Sequence, residues 1–188
     1  NVSKNAGFSS CRGLAADVTG NGADGQTDEQ HDDNCASCHA RREELTPGFT
    51  VGDKFDDHFR LELPKIPGVF HPNGLQLEED YSETSYRLHR MGRTGVTCFD
   101  CHDPHSGKVT RPTENDELCL QCHGNNQVIN GVLAPQVGHN KLCGGKAMPC
   151  IECHMPRMTY MGRDPRRDHA LHWPDPRMSI ELGVPNAC

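Results

Sequence analysis

Four copies of one pentapeptide, Cys-x-x-Cys-His, constrain this chain more than any other feature; they stand at residues 35–39, 98–102, 119–123 and 150–154. Two thiols at this spacing can form thioethers to the two vinyl groups of one haem, and the histidine that follows is placed under the iron. Paired CxxC motifs also build zinc sites, and Cys98/Cys101 and Cys119/Cys122 have a separation suited to an all-cysteine zinc ribbon. Zinc, however, makes no demand for a histidine directly after the second cysteine. Histidine supplies 12 of 188 residues, so its chance recurrence after all four pairs is on the order of one in a hundred thousand. The spacing points to four covalently bound haem c groups. Their thioethers would come from Cys35, Cys38, Cys98, Cys101, Cys119, Cys122, Cys150 and Cys153, and their proximal ligands would be His39, His102, His123 and His154.

A chain with only 34% hydrophobic and 5% aromatic residues would struggle to offset its conformational entropy by burying its own side chains. Nineteen glycines and thirteen prolines add turns and interrupt regular structure. Four macrocycles resolve the conflict, because each brings a large apolar face, and metal coordination adds to the free energy of folding. The expected fold is mostly irregular with a few short α-helices, its core formed by stacked haems. Residues 1–34 read as a polar lead and residues 35–188 as a tetrahaem domain. The formal charge is −7, and haem propionates would make it more acidic. No basic cluster interleaved with aromatics suggests nucleic acid; the acidic field favours basic redox partners. No apolar run approaches the ~18 residues of a membrane span. No leader segment is visible, so residue 1 reads as a mature start. Haem is attached to CxxCH outside the cytoplasmic membrane, which implies a periplasmic or extracellular protein.

Local signals place the motifs on short helices. Residues 35–45 read as one helix, while Pro47, Pro64, Pro67 and Pro72 make residues 46–80 irregular. Asp80-Tyr81-Ser82-Glu83 has capping-box spacing and predicts a helix over 81–93 that stops at Gly95. Thr113-Glu114-Asn115-Asp116 predicts a second start, carrying Cys119 to His123 before Gly124. Strand signals are almost absent. Residues 17–28 place Asp17, Thr19, Asn21 and Asp28 at positions 1, 3, 5 and 12 of a calcium-loop pattern, with glycine at position 6. The last position is Asp rather than the longer Glu, so a solvated acidic turn stands beside the Ca2+ reading.

Eight histidines remain for the sixth coordination positions: His31, His58, His71, His89, His105, His139, His169 and His172. This surplus favours bis-histidine over histidine–methionine ligation. Met155 follows His154 directly and cannot reach the opposite face of the same haem. His105 lies too close to His102 to cap the same iron, so as a ligand it would serve a neighbouring haem. The segments CASCHARREELTPGF, FHPNGLQ, GVTCFDCHDPHSG, CIECHMPRMTYMGRDPRRDH and LGVPNAC resemble the haem-rich domain of a family of multihaem cytochromes c often fused to tetratricopeptide repeats. This resemblance covers most of residues 35–188 and implies His71, His105, His139 and His169 as distal haem ligands. It leaves His31, His58, His89 and His172 outside the set. Two departures stand out. Family members continue after LGxPNAC into a further CxxCH, and they carry upstream haem motifs that are missing here. Eight haem thiols leave Cys11, Cys143 and Cys188, for which one disulfide and one odd thiol are expected. Cys11–Cys143 is the first choice of pair, with Cys188 as an alternative partner of either.

Two functions fit these residues. The first is electron transfer through closely packed six-coordinate haems, to other redox proteins or cytochromes, or along a homopolymer of this chain forming an extracellular filament. The alternative is a redox enzyme with one open haem iron, acting on a small nitrogen oxyanion or amine. Against it, the chain has no CxxCK variant and its tyrosines (Tyr81, Tyr86, Tyr160) have no special placement near a motif. Arg41, Arg42, Arg166 and Arg167 suit either an anion pocket or, more simply, haem propionates.

Overall fold

The computed structural model describes residues 27–79, 81–124, 128–129, 131–137, 142–143 and 146–187. Much of this chain is turn and irregular backbone, punctuated by short helices and two-stranded hairpins. The first helix, α1 (Asp28–His39), is the longest described. A capping box starts it: Thr27 Oγ1 accepts from Gln30 N at 3.2 Å, and Gln30 Oε1 accepts from Thr27 N at 3.0 Å. It begins seven residues before the first motif and ends with it, so the expected helix over 35–45 is displaced. Beyond Ala40 the chain turns extended as β1 (Arg42–Glu44), antiparallel to β2 (Phe59–Leu61), which directly follows α2 (Phe55–His58). Tertiary pairing overrides the helix-favouring Arg-Arg-Glu-Glu run here, and the Arg42 guanidinium lies 3.8 Å over the Phe59 ring.

The helix expected over 81–93 is two helices, α3 (Ser82–Leu88) and α4 (Arg90–Arg93), broken at His89, whose backbone is extended. Asp80 lies outside the described residues, and Tyr81 rather than Asp80 is the N-cap. The break folds α4 back on α3 so closely that a Cβ at Gly92 would stand 2.6 Å from the Tyr86 carbonyl oxygen. Only glycine permits that approach. Next come α5 (Cys98–Cys101) and α6 (Glu117–His123), the latter ending at Gly124 as expected. Its N-cap is Asp116 in the left-handed region, not Thr113. Then follow the hairpin β3 (Val128–Ile129) and β4 (Val132–Leu133), the hairpin β5 (Leu142–Cys143) and β6 (Lys146–Ala147), and α7 (Cys150–His154). Strands β7 (Arg157–Tyr160) and β8 (Asp164–Arg167) form the longest hairpin, and α8 (Pro176–Leu182) closes the chain.

Apolar packing is confined to two small clusters among the described residues. Ala36, Ala40, Phe55 and Phe59 form one, flanked by Phe49 and Leu61. Leu75, Ala170 and Val184 form the other, flanked by Met178. Neither is large enough to hold a chain of this length, in keeping with its composition. No described helix is long and apolar enough to cross a membrane.

Candidate haem centres

Each Cys-x-x-Cys-His motif coincides with the end of a helix. His39, His123 and His154 are the last residues of α1, α6 and α7, and His102 caps α5. The spacing explains why. In a helix the residues i, i+3 and i+4 share one face, so both sulfurs and the imidazole project to the same side. In α1 the division of faces is plain: Ala36 and Ala40 are packed on Phe55 and Phe59, whereas Cys38 and His39 are exposed. The side chains that would hold haem are therefore excluded from the apolar cluster by the helix geometry itself.

The motif helices are tied together in chain order. Asp32 of α1 accepts from Cys98 N through Oδ1 at 3.1 Å, joining α1 to α5. Gln121 of α6 donates to the Asp100 carbonyl at 3.4 Å, joining α6 to α5. Asp116 at the start of α6 accepts from Cys150 N at 2.6 Å, joining α7 to α6. The thiols follow the same order. Cys35 and Cys98 lie within hydrogen-bonding reach of each other, which together with burial pushes the Cys98 thiol up. Burial raises Cys101 to about 12, with Asp100, Cys119 and Cys122 adding to the effect. Cys98 thus faces the first motif and Cys101 the third. That division does not suit the four-cysteine zinc site, and no group of three or more metal-binding side chains converges among the described residues.

Imidazole tautomers sort the histidines. His102 Nδ1 lies 3.1 Å from the Gly107 carbonyl, and His123 Nδ1 lies 2.6 Å from the Pro135 carbonyl. A carbonyl only accepts, so each Nδ1 donates and each neutral ring keeps its Nε2 lone pair for a metal. His169 has the same arrangement, Nδ1 to the Arg167 carbonyl at 3.0 Å, and burial lowers its pKa from the ordinary imidazole value. Its ring centroid stands 6.2 Å from that of His102, the planes inclined by 32°. His71 sits in the turn closed by its N–H to the Leu75 carbonyl at 2.7 Å; burial lowers it, opposed by nearby Asp168. His105 is exposed on a turn held by Asp103 Oδ1, which accepts from the N–H groups of His105 and Ser106 at 3.0 and 2.9 Å. His154 meets Trp173 edge-on, with ring centroids 6.1 Å apart.

His139, the remaining distal candidate, lies outside the described residues, as do Asp17, Thr19, Asn21, Cys11 and Cys188. Asp28 is the first residue of α1, and Cys143 belongs to β5. His89 has a different occupation. Its Nδ1 accepts from Met91 N at 3.2 Å as the N-cap of α4, which leaves Nε2 protonated. Capping and iron ligation through Nε2 exclude each other. His58 is likewise occupied, Nδ1 by the Thr46 carbonyl at 3.0 Å and Nε2 by Asp53 at 3.5 Å.

The arginines test whether a haem suits these residues. Arg167 binds Glu152 and the carbonyls of Ile151 and Met155 at 3.3 and 3.1 Å, so it holds α7 rather than lining an anion pocket. Arg166 pairs with Asp164, and Arg42 donates to the Ser37 carbonyl at 2.6 Å. Arg41 differs. It pairs with Glu62 at 2.8 Å and Glu78 at 3.3 Å, yet its Nη1 is buried and meets no acceptor among the described residues. Arg41 also lines a cavity of about 360 Å³, together with Cys38, Ala40, Arg42, Glu62 and Tyr81. A buried guanidinium donor close to a cysteine of the first motif suits a carboxylate such as a haem propionate. The residues fit the group; the sequence named Arg41 as one of four arginines suited to propionates, and the structure sets it apart from the other three.

No curated protein and no solved structure matches the chain. Residues 89–128 match the family model of the doubled CXXCH motif. That stretch runs from the α3–α4 break through α5 and α6, and so carries the second and third motifs with the hydrogen bond that joins their helices. It is a doubled CXXCH motif, consistent with a CxxCH-rich multihaem cytochrome c domain, and it supports covalent haem c binding and electron transfer.

Proposed function

We propose that the chain carries four haem c groups, one on each motif, and passes electrons along them in the order of the motifs. The observation that carries this reading is the stitching of α1 to α5, α5 to α6 and α6 to α7 by the hydrogen bonds of Asp32, Gln121 and Asp116. Attachment points that are consecutive in the chain and adjacent in space would hold neighbouring haems close and fixed, as rapid transfer requires. Cys35, Cys38, Cys98, Cys101, Cys119, Cys122, Cys150 and Cys153 would hold the haems. His39, His102, His123 and His154 would be their proximal ligands, with distal ligands drawn from His71, His105, His139 and His169. Haem supplies the one-electron chemistry; the protein's part is to fix the spacing, exclude water and set potentials through ligands and nearby charge. The partners would be redox proteins with basic surfaces, or further copies of the chain in a filament, in the periplasm or outside the cell.

A dithionite-reduced visible spectrum with haem quantified per chain, before and after carbon monoxide, tests the reading. Four low-spin haems unchanged by carbon monoxide are expected. An iron that binds carbon monoxide in the native protein would replace this reading with the enzyme one. Negative-stain microscopy separates filament from soluble carrier.

A further inference from the structure

We infer that His102 and His169 are the two axial ligands of one iron, that of the haem attached at Cys98 and Cys101. The inference rests on the tetrahaem reading, and it adds a connection: this haem clasps the β7–β8 hairpin and the segment after it to the second motif. An iron bound by two opposed imidazoles at about 2 Å each sets their centroids roughly 6.3 Å apart. The observed separation is 6.2 Å. Two imidazoles joined directly by an N–H···N hydrogen bond would stand roughly 5.2 Å apart. The centroid separation exceeds that of a hydrogen-bonded pair and matches that of two imidazoles on one iron.

Both rings are prepared in the same way. His102 donates its Nδ1 proton to the Gly107 carbonyl at 3.1 Å and His169 donates its own to the Arg167 carbonyl at 3.0 Å. Each leaves Nε2 as the lone-pair nitrogen, as in metal-ligating histidines whose other ring nitrogen donates to a carbonyl. His169 is also held firmly by its neighbours. Asp168 Oδ2 accepts from the buried Tyr160 hydroxyl at 3.3 Å, Asp168 Oδ1 accepts from Ala170 N at 2.6 Å, and Asp168 N donates to the Pro156 carbonyl at 3.1 Å. Ala170 is buried in the cluster with Leu75 and Val184. A ligand fixed from both sides defines where the macrocycle must stand. His39 of the first motif also lies within electrostatic reach of His169, so the competing assignment is the first haem.

The test uses the fully loaded protein. His169→Ala should open one iron per chain to carbon monoxide, with four haems still attached. In a Cys98→Ala/Cys101→Ala chain, which carries three haems, adding His169→Ala should open no further iron. A further open iron in that background, or none in the four-haem chain, overturns the assignment. Should the three-haem chain not mature, proton NMR of the native protein decides. Nuclear Overhauser contacts from the His169 ring to the haem bound by Cys98 and Cys101 are expected, and contacts to the haem bound by Cys35 and Cys38 would sink the proposal. A native protein with fewer than four haems would instead count against the tetrahaem reading, and the NMR result would still assign His169.

Discussion

Arg41 and Asp103 show how single side chains bear on the proposed haems. Replacing Arg41 with glutamine removes a positive charge beside Cys38, where Nη1 is buried without an acceptor. Loss of that charge favours the oxidised iron, so the potential of the first haem should fall by roughly 20–80 mV in a spectroelectrochemical titration. The other potentials should move little. Asp103 holds the turn after the second motif, and hydrogen bonds, that from Ser106 N foremost, keep its carboxyl below the usual aspartate range. Its contribution is therefore present above the ordinary aspartate pKa and is lost as pH falls through the depressed folded value. Amide exchange of Ser106 should accelerate only in that acid window, once corrected for the intrinsic rate. The doubled CXXCH motif at residues 89–128 was legible because haem attachment demands those residue types at that spacing. Arg41 could be named from the chain only as one of four arginines; what sets it apart, the burial of Nη1, exists only once Glu62 and Glu78 hold the other side of its guanidinium.

At the scale of elements, α1 depends on the aromatic pair beneath it. Phe55 is 0% exposed and packs with Ala36 and Ala40 on the face opposite the first motif's reactive groups. Phe55→Ala should cost about 3–5 kcal/mol in denaturant unfolding of the holoprotein, chiefly by loosening α1 and the first haem. The end of α6 at Gly124 could be read from the chain, since glycine is the usual stop after a helix. The capping box at Thr27-Asp28-Glu29-Gln30 was equally readable and marks the true start of α1. By contrast, the break at His89 comes from packing of α4 on α3, with Gly92 against Tyr86. Residues 81–93 contain no proline to announce it. Strands two to four residues long are too short for any alternation to register.

For the whole molecule, the two small apolar clusters among the described residues suit the proposal that haem supplies the rest of the core. The chain matured without haem, with all eight motif cysteines changed to serine, should lose most of its helical circular dichroism and become open to proteolysis at concentrations where the holoprotein resists it. Retention of a native-like spectrum would mean that the clusters of Phe55 and Leu75 suffice alone. The charge of −7, which propionates of the proposed haems would make more negative, sets a further expectation. Electron exchange with a basic partner should slow as ionic strength rises toward the point where the Debye length is about 8 Å.

The chain by itself determined the covalent chemistry and the scarcity of regular structure. Thioether and proximal-ligand positions need only three side chains on one helical turn, and composition alone limits an apolar core. Tertiary structure decided which rings face each other, which motif neighbours which, and which histidines are diverted to capping. Those outcomes depend on the path of a proline- and glycine-rich chain between distant residues. Local preference does not encode that path; packing, cross-chain hydrogen bonds such as Asp116 to Cys150 N, and the approach of His169 to His102 do.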